Sequence, residues 1–136
     1  MSLSKKQRQA IWDKSEGHCW YCGCELPEKG WHADHFHPII RKVKSVPGDH
    51  PRTYKLVSTN EAFRPEHDTL ENRVPSCAPC NLFKGTFSVE GFRRELEAQV
   101  ERARRSSVNF RMAERFGQLR VFENPVVFWF ENNHHG

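Results

Sequence analysis

The sequence lacks any long apolar run, and a membrane-spanning helix needs about 20 consecutive apolar residues. Its start, MSLSKKQRQAIW, has no apolar core of the kind a signal peptide carries, so neither a membrane span nor export is expected. It has no internal repeat and no low-complexity tract, which excludes solenoids and biased linkers. Cysteine is sparse, with five in 136 residues. Without a secretion signal these five point away from disulfides and towards metal or redox chemistry. Hydrophobic residues make up 37% and charged residues 28%, the balance of a globular domain. A chain this short buries a modest core, so a metal staple would add useful stability.

The formal net charge is +4. The excess is small but clustered, at Arg41, Lys42 and Lys44 and again at Arg102, Arg104 and Arg105. Such clusters suit either a polyanionic partner or a solvated surface.

Ser4 to about Ser15 reads as a first helix, with Ser4 and Gln7 forming a capping box and Gly17 ending it. Gly17 to Gly23 reads as a tight knuckle. Trp31 to Ile40 is expected to be a short strand. The stretch from Arg41 to Arg73 is the least regular, rich in proline and turn formers, and is read as a long functional loop. Val74 to Lys84 begins as strand or turn and enters a helix near the second cysteine pair. Ser88 caps a helix running to about Arg105, with Phe92, Leu96 and Val100 on one face. A further short helix is expected over Asn109 to Gly117, and Val126 to Phe130 (VVFWF) reads as a buried strand.

Cys19-Trp20-Tyr21-Cys22 and Cys77-Ala78-Pro79-Cys80 share the two-residue spacing of a zinc knuckle. Two such pairs complete a closed four-thiolate site, the usual structural form. The metal would tie the N-terminal segment to the later helix. Cys24 is left over, either a substitute for Cys22 or a bystander.

Trp31-His32-Ala33-Asp34-His35-Phe36-His37-Pro38 sets a carboxylate beside a histidine. A carboxylate can hold a hard divalent cation, and a neutral imidazole with a pKa of about 6.5 can take a proton from water. Adjacent residues of a regular strand face opposite sides, so both serve one site only near a strand end. Asn81 directly follows a cysteine ligand candidate, where a helix start would hold it rigidly towards Asp34. Lys84 follows three residues on, placed to meet phosphate.

Asp34-His35-x-x-Pro38, Leu70-Glu71-Asn72 and Cys77-x-x-Cys80-Asn81-x-x-Lys84-Gly85 together resemble the HNH nucleases, with their ββα-metal (His-Me finger) core. The Cys19-Trp20-Tyr21-Cys22-Gly23 knuckle looks like the one many members carry. The resemblance spans roughly Gly17 to Gly85. It implies an α+β fold: a ββα-metal core with a zinc knuckle, flanking helices and a short C-terminal strand. The whole chain, 1–136, would be a single nuclease domain, with its core at about 17–85 and a helical and strand extension over 87–136.

The resemblance also implies roles. His35 would be the general base, Asn72 would hold the hairpin loop and orient that base, and Asp34 and Asn81 would bind the catalytic ion. Because asparagine stands where the last histidine of the family name falls, oxygen donors favour manganese or magnesium there. Structural zinc would occupy the four cysteines. His32 and His37 are read as supporting or groove residues, His18, His50 and His67 as surface or loop residues, and His134 and His135 as tail. The expected partner is DNA, contacted through Arg41, Lys42, Lys44 and Lys84, with Arg52, Lys55 and the Arg102–Arg105 cluster as further phosphate contacts. A monomer or weak dimer that nicks one strand is expected, in the cytoplasm of a bacterium or encoded by a phage. The alternatives are a non-catalytic zinc-stabilised nucleic-acid-binding module, or a subunit of a phage DNA-packaging assembly.

Overall fold

A computed structural model describes residues 2–39, 41–62 and 65–133, with the backbone alone at positions 41–43, 58 and 60–62. The architecture is α+β. Helix α1 (Lys5–Asp13) opens on the expected capping box: Ser4 Oγ accepts from Gln7 N, and the Gln7 side chain accepts from Ser4 N. Strand β1 (His32–His35) is followed by a hairpin of β2 (Arg41–Pro47) and β3 (Tyr54–Ala62), then a 3-10 turn at Pro65–His67. Strand β4 (Arg73–Ser76) leads into α2 (Ala78–Lys84). The chain closes with α3 (Val89–Glu97), α4 (Gln99–Ser106), α5 (Val108–Arg115) and α6 (Trp129–Asn133). No described helix is long and apolar enough to cross a membrane.

Two small antiparallel sheets carry the strands. One pairs β1 with β4, His32 opposite Ser76 and His35 opposite Arg73. The other is the β2–β3 hairpin. Strands β1 and β4 with α2, which packs on β1, make a β-β-α unit interrupted by that hairpin.

The core is aromatic. Ile11 of α1, Trp20 and Tyr21 of the knuckle, Val74 of β4, Phe92 of α3 and Phe128 pack together. Tyr21 meets Phe92 and Phe128 edge-on, at ring separations of 5.4 and 5.7 Å. The knuckle joins the sheet because Trp20 N donates to Pro75 O at 2.8 Å. From the other side, Lys14 Nζ of the α1 C-terminal turn donates to the carbonyls of Leu70 and Arg73.

Three expectations are corrected. The segment from Arg41 to Arg73 is not irregular: most of it is the β2–β3 ribbon, none of whose described side chains is buried, so they give no buried–polar alternation to read. The helix expected from Ser88 to Arg105 is two helices, divided at Ala98. The C-terminal strand is absent among the described residues. Trp129 N and Phe130 N donate to the carbonyls of Tyr21 and Trp20, Phe128 enters the core, and the chain turns into α6. Seating the segment there requires Gly23: a Cβ at this position, where φ is +80°, would lie 2.6 Å from the Trp129 ring. Ile40, His134 and His135 lie outside the described residues.

Candidate functional site

Alternation along β1 divides Asp34 from His35, as strand geometry requires. Asp34 turns inward and is buried. Its Oδ2 accepts from the Tyr21 hydroxyl at 2.6 Å and lies 3.4 Å from Lys84 Nζ. Lys84 is fully buried at the C-terminal turn of α2, and its ammonium also donates to the His35 carbonyl at 3.0 Å. Burial lowers the Lys84 pKa, and the Asp34 carboxylate opposes that shift. The Tyr21 phenol is pushed well above its usual range, first by burial and then by Asp34, so it stays a neutral donor. The expected phosphate contact at Lys84 is therefore corrected: the side chain fastens α2 to β1 from within.

His35 points the other way, at the end of β1. Its Nε2 lies 2.9 Å from Asp68 Oδ1, and Arg73 reaches the same oxygen at 3.2 Å. Burial pulls the His35 pKa below its ordinary value, with the Asp68 hydrogen bond opposing. Asp68 is held down to about 2, chiefly by its bond to His35 and also by Arg73. At neutral pH the arrangement is a neutral imidazole oriented by a charged carboxylate, suited to taking a proton. Sequence reasoning assigned Asp68 no role. Its only signal was an acidic residue shortly before Asn72.

Asn72 is buried and uses its whole amide. Oδ1 accepts from His37 N at 2.8 Å, while Nδ2 donates to His37 O at 2.7 Å and to His67 O at 2.6 Å. With Asn72 O accepting from Phe36 N, it holds the loop beyond His35 in place. The His37 and His67 rings lie 5.7 Å apart beside a cleft of about 470 Å³ floored by Trp20, Phe36 and Phe130. His32 is exposed, and His18 stacks on Trp129.

Asn81 sits on α2 one residue after Cys80, half-buried, on the helix that packs against β1. Tyr21 and Lys84 both address Oδ2 of the buried Asp34. The Lys84 ammonium beside Asp34 offsets the charge of its carboxylate.

The sulfurs of Cys19, Cys22, Cys77 and Cys80 all lie within 4.8 Å of one another, a group that can hold a metal ion. The Cys22–Cys77 sulfur separation is 3.8 Å. A tetrahedron with metal–sulfur bonds of about 2.3 Å has an edge of roughly 3.8 Å, so four thiolates fit zinc here. Cys77 N donates to the Cys19 sulfur, and the Cys19–Cys24 backbone bond closes the knuckle. Hydrogen bonding from Cys80 favours the Cys19 thiolate and lowers its pKa, with burial opposing. Cys24 lies beside the four, against Cys22 and Cys77.

The Arg102 and Arg104 guanidinium groups pair with Glu95 and Glu114, so these two are tied within the helices rather than free for phosphate. Lys44, Arg52 and Lys55 are exposed on the ribbon, where the Lys55 ammonium lies 3.7 Å from the exposed Asp49 carboxylate, a loose surface pair that water and a phosphate can replace. The Arg41 and Lys42 side chains, expected DNA contacts, lie outside the described residues. In comparisons with known proteins, no family model, no curated protein and no solved structure matches this chain.

Proposed function

We propose that the chain is a metal-dependent DNA endonuclease of the HNH type, with His35 as its general base. The reading is carried by one observation: at the end of β1, His35 is held by Asp68 while Asn72 clamps the loop beyond it, in a β-β-α unit tied by four cysteines. Zinc in the cysteine site is structural, since four thiolates leave no open position. Asp34 and Asn81 would hold manganese or magnesium, which would supply positive charge to the phosphate and the departing oxygen.

His35 takes the proton from the attacking water, and Asp68 steadies the imidazolium that forms. The Asn72 clamp fixes the backbone on which His35 sits, and Lys84 fixes it from below through the His35 carbonyl. One such site per chain cuts one strand per encounter, so nicking is the expected outcome.

The test is cleavage of supercoiled plasmid with added manganese or magnesium. Wild-type protein should give open circles before linear product. His35→Ala should lose about 100-fold or more in rate while keeping its metal content. A wild-type rate in that variant overturns the assignment. A second reading, a nucleic-acid-binding module without cleavage, is favoured by the burial of Asp34 under Tyr21 and Lys84. It predicts DNA binding with no cleavage under any divalent ion.

A further inference from the structure

The β2–β3 ribbon stands apart from the aromatic core. None of its described side chains is buried, and its strands pack chiefly on each other. A two-stranded ribbon with no core of its own is marginal in water, so packing does not account for its residues. Its charge points to a partner: between Arg41 and Ala62 stand five basic and two acidic residues, so this segment carries +3 of the chain's +4.

The register sorts the side chains. Tyr54 lies opposite Pro47 and Leu56 opposite Ser45, which puts Tyr54 and Leu56 on one face. They are 75% and 71% exposed, an apolar pair open to water on the same face of the ribbon. Lys55, opposite Val46, and Lys44, opposite Val57, share the other face. Arg52 stands at the tip in the left-handed region, with φ +64°. The long lysine stems let their ammonium groups reach past the ribbon edges.

We propose that the β2–β3 ribbon is a duplex-DNA-binding arm that lies in the major groove, with Tyr54 and Leu56 against base edges and Lys44, Arg52 and Lys55 at the flanking phosphates. The partner class rests on the nuclease reading above. The major groove, about 12 Å wide, admits a two-stranded ribbon, whereas the minor groove, about 6 Å wide, does not. The deep, narrow major groove of A-form RNA excludes it too. Apolar side chains at base edges meet the thymine methyl group. The arm leaves the core just beyond His37 and returns just before Asp68, so a duplex gripped by it passes beside His35.

The test uses the full chain with its cysteine-bound metal, a short labelled duplex, and no added magnesium or manganese. Lys44→Gln/Lys55→Gln should weaken binding and flatten the plot of log affinity against log salt by about 0.9 per lysine. Tyr54→Ser/Leu56→Ser should weaken binding about tenfold with the salt slope kept, and should abolish any preference for thymine over uracil in the duplex. Circular dichroism and metal content check that both variants remain folded. Wild-type affinity and slope in both variants, with plasmid still nicked by the wild type, overturn the arm and leave the nuclease reading standing. Absence of nicking by the wild type, with the slope still reduced in the lysine variant, overturns the nuclease reading and supports the arm. A wild type with no affinity for the duplex overturns both.

Discussion

The cysteine-tied core and the β2–β3 ribbon are held by different forces. In the core, Tyr21 is pinned by Phe92, Phe128, Asp34 and the backbone of Trp129, so each contact constrains the next. In the ribbon, backbone pairing joins the two strands, none of the described side chains is buried, and Tyr54 and Leu56 face water. The difference teaches where sequence changes are costly. Side chains of the core decide whether the chain folds, whereas side chains of the ribbon are free to answer to a partner.

Four measurements would break or sharpen that contrast. The largest effect is expected at the cysteines. Cys77→Ser should leave the purified protein without its metal and largely unfolded, because metal binding in a four-thiolate site is folding free energy. Cys24→Ser should retain the metal. Metal analysis with thermal unfolding checks both, and a fully loaded Cys77→Ser protein would sink the site.

Next comes Lys84→Met, which leaves Asp34 buried without its cation. A loss of about 3–5 kcal/mol in urea unfolding is expected, and much of it should return in Lys84→Met/Asp34→Asn. If Lys84→Met costs nothing, the residue is not the internal clamp described above.

Asp68→Asn should lower the cleavage rate by about 10- to 100-fold. The base acts when neutral, so activity rises as pH rises through the His35 pKa, which burial sets below the ordinary histidine value. Removing the Asp68 carboxylate removes a raising influence, so the acidic limb of the rate profile should move to still lower pH. A limb that moves upward contradicts the pairing.

The smallest effect is expected on the ribbon. Leu56→Ser should change stability by less than about 0.5 kcal/mol, as an exposed position does. Truncating a buried residue such as Phe92 should cost about 3–5 kcal/mol. A comparable loss at Leu56 in urea unfolding would mean that the ribbon packs against something in solution.

Local signals in the sequence were legible. The Ser4 cap, the Ser88 cap and the cysteine spacing each depend on residues within a few positions, and each is met in the structure. Features set by distant partners were not. Asp68 gains its role from His35, and Lys84 is drawn inward by Asp34 across α2 and β1, so neither could be read from neighbours. The apolar run at Val126 to Phe130 fits a buried strand or a buried helix start equally well, and only the carbonyls of Trp20 and Tyr21 decide it. The ribbon is illegible for the opposite reason, since among its described side chains no buried face imposes a two-residue period.

The Asn72 amide has a consequence for how such a protein can change over time. One side chain fastens both His37, where the insertion leaves the core, and His67, where it returns. Whatever lies between those anchors is closed off from the geometry around His35. Lengthening a loop costs free energy only logarithmically. The ribbon can therefore be extended, shortened or exchanged as a cassette, and new target preferences can be tried without rebuilding the chemistry beneath.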